Sequence, residues 1–494
     1  MKYISTRGDK QKLSSGEAIL QGICKDGGLF VPENIPSLSM ELQELTSLSY
    51  KNLALTILKK FLTDFDDQKL TGCINKAYDN KFDTSSIAPL VRQNGVSFLE
   101  LYHGPTLAFK DMALALLPHL LKASAEMYGI KEDIVILTAT SGDTGKAALE
   151  GFANVAGTKV IVFFPEDGVS PIQKLQMVTQ EGVNTCVYGV KGNFDDAQTG
   201  VKNIFNNKEY NSFLEDKGYI LSSANSINIG RLVPQIVYYF HSYGELLRQG
   251  RISMGDEINF VVPTGNFGNI LAGYYAKHMG LPIGRLICAS NENNVLYDFL
   301  KTGVYDRRRD LVLTSSPSMD ILISSNLERL LWEISDKDCE TVNHLMADLK
   351  DTGCYTITEA MKDKLSPFYG GYATEEESSY SIKGMYDASG YVMDTHTAVA
   401  YTVYEKYRKE TRDARETVIL STASPFKFGK SVCSSLGLFT ENLDDFQSLK
   451  LLQDFTGLAM PKAVSGLNTK PILHSRVVEK NSMQRAVSDF LKVR

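Results

Sequence analysis

Short apolar runs alternate with helical patterns from about residue 130 onward. Residues 134–138 and 159–164 are rich in β-branched side chains, which favours buried strands. Between them, residues 146–156 carry apolar side chains at helical spacing. Ser170 followed by Pro171 is typical of a helix start, with serine as the N-cap. The pattern therefore predicts a βαβ unit, in which the strands are parallel and the crossover is right-handed.

The same alternation returns in the second half of the chain. Residues 259–263, 285–289 and 417–421 indicate further strands, and residues 270–278 indicate a helix after the first of them. Two such stretches predict an α/β protein with two lobes, each a mostly parallel open sheet flanked by helices, with a cleft between them. Ligands of open α/β sheets bind beyond the carboxyl ends of the strands, so we expect the functional site in this cleft.

Residues 1–90 lack this alternation and predict a mixed α/β extension. A helix is expected to open at Ser15, and residues 26–33 predict a glycine turn into a short extended piece. A chain of 494 residues is too long for one hydrophobic core. We predict an N-terminal domain over 1–90 and a catalytic region of two lobes over 91–494, with the smaller lobe at roughly 105–250.

Composition narrows the functional classes. The formal net charge of −6 gives no reason to expect a nucleic acid or an anionic membrane as partner. No apolar run approaches the roughly 20 residues that cross a bilayer, and the segment MKYISTRGDK lacks the apolar core of a signal peptide, so a cytoplasmic protein is expected. The seven cysteines are scattered without a CxxC pair, which favours free thiols over a disulfide framework or a metal site.

Two polar loops follow predicted strands. Residues 264–269 (TGNFGN) place two glycines three apart between a strand and a helix, which suits a phosphate cradle. A tight turn without a ligand explains the same residues equally well. Residues 141–145 (SGDTG) present hydroxyl and N–H groups that suit a carboxylate, or that cap the helix beginning near Lys146.

Two basic residues, Lys110 and Arg231, can each be interpreted as a functional residue or as a surface residue. Lys110 precedes the apolar run 112–117, where a lysine usually turns its ammonium group to solvent. Held inside an apolar site, it would have a lowered pKa and suit imine chemistry. Arg231 ends a polar stretch, 222–231, and is either a bidentate phosphate ligand or a solvent-facing helix residue. The chain has no G-x-S-x-G and no HExxH motif, which argues against serine-hydrolase and zinc-protease chemistry.

Taken together, these segments resemble the threonine synthase family, which belongs to fold type II of the pyridoxal-phosphate enzymes. The resemblance runs from near the N-terminus to residue 428 and keeps its order. The matching segments are 5–8, 26–32, 103–111, 140–145, 225–228 with Arg231, 265–269 and 422–428. It implies pyridoxal 5'-phosphate as the cofactor, held in the cleft between the lobes.

The resemblance also implies a role for individual residues. Lys110 would form the Schiff base with the cofactor, and the hydroxyl of Thr422 would bond the pyridine nitrogen. The cofactor phosphate would be bound by Gly265, Asn266, Phe267, Gly268 and Asn269. The substrate carboxylate would be bound by Ser141, Gly142 and Thr144, and the substrate phosphate by Asn225, Ser226, Asn228 and Arg231. Asp143 and Ser424 are assigned no role.

The reaction implied by the resemblance converts O-phospho-L-homoserine and water to L-threonine and phosphate, the last step of threonine biosynthesis. A monomer or a homodimer is expected. One alternative is a related fold type II lyase that removes phosphate or ammonia and releases a 2-oxo acid. Another is a homologue that binds the cofactor without catalysis.

Overall fold

The computed structural model describes residues 1–38, 42–140, 142–167 and 169–493. Its strands are β1 (Tyr3–Ser5), β2 (Phe30–Pro32), β3 (Leu90–Gln93), β4 (Val96–Glu100), β5 (Asp133–Ala139), β6 (Thr158–Pro165), β7 (Thr185–Lys191), β8 (Tyr219–Ser222), β9 (Ile258–Pro263), β10 (Ile283–Ser290), β11 (Val304–Asp306), β12 (Cys354–Thr356), β13 (Phe368–Tyr372), β14 (Thr417–Ser421) and β15 (Val477–Glu479).

The strands are joined and covered by helices. These are α1 (Ser15–Gln21), α2 (Leu42–Ser47), α3 (Tyr50–Phe61), α4 (Asp67–Ala77), α5 (Asp111–Leu114), α6 (Leu117–Met127), α7 (Asp143–Phe152), α8 (Pro171–Val178), α9 (Phe194–Asn206), α10 (Lys208–Asp216), α11 (Ile229–Arg248), α12 (Gly268–His278), α13 (Val295–Thr302), α14 (Leu327–Ile334), α15 (Cys339–Asp351), α16 (Glu359–Asp363), α17 (Glu375–Ser389), α18 (Thr395–Thr411), α19 (Gly429–Ser435), α20 (Asp445–Thr456) and α21 (Met483–Leu491). Short 3-10 helices lie at Pro317–Met319, Pro425–Phe428, Leu467–Thr469 and Lys480–Ser482.

The larger sheet has the strand order β13-β10-β9-β14-β4-β3. Its strands are parallel except β3, which pairs antiparallel with β4 at one edge. Every residue of β9 and β14 is buried. Phe260 and Val262 pack into the apolar cluster on one face of the sheet, and Val261 packs into the cluster on the other. Burial on both faces explains why these strands are continuous apolar runs in the sequence.

The smaller sheet has the order β15-β7-β6-β5-β8, and all its neighbouring strands are parallel. Strand β5, helix α7 and strand β6 form the βαβ unit that the apolar pattern predicts. The α/β fold with mostly parallel open sheets is therefore confirmed. One edge strand comes from far along the chain, because β15 near the C-terminus pairs with β7.

Local sequence signals fix several helix starts. Ser170 caps α8 and, with Gln173, completes a capping box, with Pro171 in the first turn as expected. Ser14 caps α1 in the same way, so the predicted helix begins at Ser15.

Buried charges hold the N-terminal segment against α14. The carboxylate of Glu328 accepts hydrogen bonds from Thr6 Oγ1 at 2.6 Å and from Arg7 Nε and Nη2 at 3.0 and 2.8 Å. The guanidinium of Arg329, fully buried, donates through Nε to the carbonyl oxygen of Phe30 at 2.9 Å. Helix α3 also packs against α11. The extension is thus part of the folded body of the protein.

Three properties of the described residues bear on the functional class. None of their helices is both long and apolar enough to cross a membrane. In the same part of the chain, no group of three or more histidine, cysteine, aspartate or glutamate side chains is arranged to hold a metal ion. All seven cysteines carry free thiols.

Glu333 on α14 is a partly buried acid with an expected effect on stability. Burial raises the pKa of its carboxyl from 4.5 to about 7, and Oε1 has no hydrogen-bond partner among the described residues. The protonated form therefore contributes stability that is fully present below pH 4.5 and lost as the pH rises through 7. We expect Glu333→Gln to exceed wild type in free energy of unfolding by about 1–3 kcal/mol at pH 8, and by much less at pH 5.

Urea unfolding at the two pH values measures this difference. Glu340→Gln, on the exposed face of α15, is the control and should show no such pH-dependent gain. The same gain in both variants would contradict the assignment to Glu333.

Candidate active site

A cleft of about 750 Å³, a volume that includes its open mouth, lies beyond the carboxyl ends of β4, β5, β9 and β14. This is where open α/β sheets bind their ligands. Of the residues that the sequence predicts for the site, the lining includes Lys110, Thr144, Ser226, Arg231, 265–269 and Thr422. Gly142, Asn225 and Asn228 lie outside the lining, and Ser141 lies outside the described residues.

Lys110 lies in the cleft immediately before α5, and 13% of its side chain is exposed. Its Nζ lies 3.4 Å from Asp143 Oδ2 and 3.3 Å from Ser318 Oγ, and 5.2 Å from the ring centre of Phe109. Burial lowers the pKa of the Lys110 ammonium group, against the attraction of Asp143. The side chain is therefore a buried amine at the floor of a cleft and not a solvent-facing surface lysine.

The loop over residues 264–269 joins β9 to α12. Phe267 has a left-handed backbone (φ 62°), and α12 begins directly after it without a side-chain cap from any described residue. Ser324 Oγ donates to the carbonyl oxygen of Gly265 at 2.7 Å, and Asn326 donates from N and Nδ2 to that of Asn266 at 3.0 Å. With these carbonyls held by residues 324–326, the uncapped N–H groups at the start of α12 stay available to an anion.

Asn269 adds a free donor at the same place. Its Oδ1 accepts hydrogen bonds from the hydroxyls of Tyr238 at 2.5 Å and Tyr239 at 3.0 Å. Its Nδ2 is buried and has no partner among the residues that the structure describes. A buried amide donor left unpaired costs free energy, so an acceptor such as a phosphate oxygen would complete this environment.

Gly265 has no room for a side chain. A β-carbon there would lie 2.7 Å from the backbone oxygen of Ser318. We expect Gly265→Ala to displace the Pro317–Met319 turn, to lower the free energy of unfolding by about 1–3 kcal/mol and to reduce the content of pyridoxal phosphate, the cofactor expected from the sequence, in the purified protein. Urea unfolding and absorbance measure the two effects.

Gly384→Ala is the matched control for that substitution. Apart from its own helix backbone, no described residue lies within 4 Å of a β-carbon at Gly384 on α17, so alanine there should raise helix stability by up to about 1 kcal/mol and leave cofactor content unchanged. Full cofactor content in Gly265→Ala would contradict the steric argument.

Asp143, the first residue of α7, receives four donors in the cleft. Oδ1 accepts from Gln173 Nε2 at 2.8 Å and lies 3.0 Å from Lys427 Nζ. Oδ2 accepts from Ser318 Oγ at 2.9 Å and from Lys110. Burial by itself raises the pKa of Asp143, but Lys427 and Lys110 outweigh it and hold that pKa far below its ordinary value. The carboxylate is therefore ionised and fully compensated.

Arg231 is a buried cation in the wall of the cleft. Only 3% of the residue is exposed, and Nη1 donates to the carbonyl oxygen of Ala224 at 2.7 Å. Its Nε has no partner, and its guanidinium forms no ion pair, within the described ranges. Burial lowers the pKa of Arg231 to about 10. Asp111 attracts the guanidinium without forming an ion pair with it, so this buried cation is suited to bind an anion directly.

Two predicted substrate ligands have structural contacts of their own. The side chain of Asn228 caps α11 through Gly230 N at 2.9 Å and donates from Nδ2 to the carbonyl oxygens of Ile19 and Ser223 at 3.0 and 3.1 Å. Gly142 has φ +141° and donates its N–H to Thr140 Oγ1 at 2.9 Å. The roles predicted for Asn228 and Gly142 stay predictions.

Thr422 and Ser424 follow β14. Thr422 is 5% exposed, and its carbonyl oxygen accepts the N–H of Phe109 at 2.8 Å, which holds Thr422 beside the Lys110 segment. Ser424 caps the Pro425–Phe428 turn, because its Oγ accepts the N–H of Phe426 at 3.3 Å. Capping accounts for the serine at position 424.

The sequence did not point to the roles of Ser318 or His396. The N–H of Ser318 donates to His396 Nε2 at 3.2 Å, and His396 Nδ1 lies 2.8 Å from Asp394 Oδ2. With Nε2 accepting, the proton sits on Nδ1 and is donated to Asp394. This pair fixes the turn that carries Ser318. The spacing Asp394-x-His396 before a helix was the available signal for the pair, whereas no pattern singles out Ser318.

The residues present fit pyridoxal 5'-phosphate. The uncapped start of α12 and the orphan Nδ2 of Asn269 offer donors for its phosphate. The buried amine of Lys110 faces the same cleft and suits attachment to an aldehyde. Thr422 lines the cleft with a neutral hydroxyl, which is a suitable partner for a ring nitrogen.

Three family models match consecutive parts of the chain. Threonine synthase N terminus matches residues 2–78, Pyridoxal-phosphate dependent enzyme matches residues 85–423, and Threonine synthase, C-terminal matches residues 397–489. Together they cover almost all of the described structure.

Curated relatives agree with these models. The human protein Threonine synthase-like 1 is 40% identical over 98% of this chain, which spans about 65% of that protein's length. Threonine synthase of Saccharomyces cerevisiae is 38% identical over 89% of this chain and 90% of its own.

Solved structures agree as well. A pyridoxal-phosphate-bound threonine synthase from Brucella melitensis superimposes with a TM-score of 0.88 at 36% identity, and yeast threonine synthase with 0.89 at 35%, each covering 99% of both chains. The chain belongs to the threonine synthase family of pyridoxal-phosphate-dependent enzymes.

Proposed function

We propose that this protein is a threonine synthase, a lyase that converts O-phospho-L-homoserine and water to L-threonine and phosphate. One observation carries the proposal. A single cleft holds a buried lysine amine, an uncapped helix start for one phosphate and, for a second anion, a buried arginine that forms no ion pair among the described residues. Such a cleft suits a phosphorylated cofactor together with a phosphorylated substrate.

In this proposal the cofactor is attached to Lys110. Its phosphate is bound by the backbone of residues 265–269 and by Asn269 Nδ2, which has no other partner among the described residues. Thr422 donates its hydroxyl to the ring nitrogen. When bound, the cofactor supplies an electron sink that stabilises negative charge on carbon atoms near the substrate amine.

Arg231 is the proposed ligand of the substrate phosphate. The phosphate would give the guanidinium a directly bound anion, which no described residue provides, since Asp111 attracts it without pairing with it. Ser226 lines the cleft and adds a hydroxyl donor, and Asn225 and Asn228 remain further candidates from the family pattern. The substrate carboxylate is proposed to bind at the start of α7, at Ser141, Gly142 and Thr144.

Lys110 is the proposed proton carrier. Burial lowers the pKa of its ammonium group, which favours the neutral amine. Its tether places that amine where it can move protons at Cα and Cβ of the substrate. Ser318 and Asp143 accept hydrogen bonds from Nζ and hold it at the cleft floor. Breaking the Cγ–O bond releases phosphate, Cγ takes up a proton, and water adds a hydroxyl at Cβ.

The wider organisation is proposed on similar grounds. We assign an N-terminal domain to 1–90, which contains β1, β2 and helices α1–α4, and a catalytic region to 91–494 with its smaller lobe at roughly 105–250. The seven free thiols suit a reducing compartment, so we place the enzyme in the cytoplasm, as a monomer or homodimer.

Product analysis tests the proposal. Purified protein with pyridoxal phosphate and O-phospho-L-homoserine should release phosphate and threonine in equal amounts. Phosphate with 2-oxobutanoate in place of threonine would instead identify the related lyase. Cofactor absorbance without phosphate release would identify a binding protein without catalysis. Either result would overturn the proposed function.

A further inference from the structure

Lys427 is a second buried lysine beside the cleft, in the Pro425–Phe428 turn. Its side chain is 1% exposed. Its Nζ donates to the carbonyl oxygen of Thr106 at 2.7 Å and lies 3.0 Å from Asp143 Oδ1. The ammonium group therefore joins three segments of the family pattern, those around residues 103–111, 140–145 and 422–428.

Asp143 is shared between two lysines. Lys427 forms an ion pair with Oδ1 and Lys110 with Oδ2, so one carboxylate contacts two lysine side chains. The contacts of Lys427, at 2.7 and 3.0 Å, are shorter than those of Lys110, at 3.4 and 3.3 Å. Short hydrogen bonds from an ammonium group to a carboxylate and a carbonyl oxygen stabilise its positive charge. The surroundings of Lys427 therefore stabilise an ammonium group better than those of Lys110. Lys427 is thus the natural holder of the positive charge that neutralises Asp143.

Other charged groups also act on Lys110. The titratable groups that face it or lie next to it are Asp143 on α7, Lys427 in the 3-10 turn, Arg231 on α11, His396 on α18 and the adjacent Asp111 on α5. Asp111 directs its carboxylate to the N–H and Oγ1 of Thr106, away from the amine. His396 is occupied by Ser318 and Asp394. Lys427 is therefore the group that competes with Lys110 for the carboxylate of Asp143.

We propose that Lys427 is a positioning residue that keeps Lys110 in its reactive, neutral form by neutralising Asp143 in its place. This inference rests on the proposed role of Lys110. Lys427 acts through charge, by repelling a proton on Lys110 and by weakening the attraction of Asp143 for it. Burial lowers the pKa of Lys110, Asp143 opposes this by raising it, and the positive charges of Lys427 and Arg231 work against Asp143 by lowering it again.

The rate at which the cofactor-free full-length protein captures pyridoxal phosphate reports the neutral fraction of Lys110, because only a neutral amine attacks the aldehyde. The cofactor is removed by dialysis against hydroxylamine, and capture is followed by absorbance from pH 6 to pH 10. Lys427→Gln keeps a donor for the Thr106 carbonyl and removes the charge, whereas Lys427→Arg keeps the charge.

The capture profile is the rate of pyridoxal-phosphate capture plotted against pH. In Lys427→Gln this profile should move to higher pH by about one unit, so that capture at pH 7 is roughly tenfold slower. The maximal rate at alkaline pH should be retained. Lys427→Arg should keep the wild-type profile. Capture slowed equally at every pH, with no shift of the profile, is the signature of a merely structural role and would overturn the inference.

Asp143→Asn provides a second test if Lys427→Gln does not fold. Removing the attraction should move the capture profile of Lys110 downward in pH, opposite to Lys427→Gln, and an upward shift would overturn the inference. Capture by Lys110→Ala provides the separate check on the proposed function. Capture at the wild-type rate in that variant would overturn the role of Lys110 itself, whatever the Lys427 variants show.

Discussion

Lys110→Ala is expected to lower kcat for threonine formation by at least roughly 10³-fold, because it removes both the proposed cofactor attachment and the proposed proton carrier. The loss should be visible in phosphate release and in threonine formation alike. Added amines of small size should restore little activity, because the tether that positions Nζ in the cleft is gone.

Lys146→Ala is the matched control for Lys110. The two side chains are similarly buried, with 12% and 13% exposed, but Lys146 pairs with Glu150 at 2.9 Å and does not line the cleft. Its kcat should stay within a fewfold of wild type. Retention of wild-type kcat by Lys110→Ala would remove the basis of the proposed mechanism.

Arg231→Met is expected to lower kcat/KM for O-phospho-L-homoserine by roughly 10²-fold while the protein remains folded. In the proposed function the guanidinium would supply charge-assisted hydrogen bonds, worth about 1.5–3 kcal/mol each, to the substrate phosphate. Without substrate, the same charge is buried and has no ion pair in the part of the chain that the structure describes. Methionine removes that desolvated charge, so the melting temperature should be unchanged or higher.

Arg329→Met separates this signature from a general effect of removing a buried arginine. Arg329 is fully buried as well, but its guanidinium donates to Phe30, Asn326 and Ile227. Its loss leaves several acceptors unpaired and should lower the melting temperature clearly. A fall in the melting temperature of Arg231→Met comparable to that of Arg329→Met would show that Arg231 is a structural residue.

The sequence predicted the fold because the signals for it are local. Runs such as 134–138 and 159–164 are β-branched and lie in β5 and β6, and the helix between them is α7. The loop at 264–269 was also recognisable, since glycines between a strand and a helix are a local pattern. The edge strand β15 was not predicted, because three residues are too few to show the alternation of apolar and polar positions that identifies a strand.

The electrostatics of the site could not be predicted, because its contacts join distant residues. Lys110 and Ser318 are 208 positions apart in the chain, and Asp143 and Ser318 are 175 apart. From the sequence, Asp143 was assigned no role, and nothing local in the sequence shows what could neutralise its buried carboxylate. The structure gives the physical reason that it is tolerated, since Lys427 on a third segment neutralises it.

The proposed function depends on the attachment of the cofactor to Lys110. Borohydride reduction of the purified protein with pyridoxal phosphate, followed by peptide mapping, tests it most directly, because reduction fixes the cofactor to the lysine that carries it. The pyridoxyl label is expected on the peptide that contains Lys110. A label confined to any other peptide, or no label at all, would contradict it.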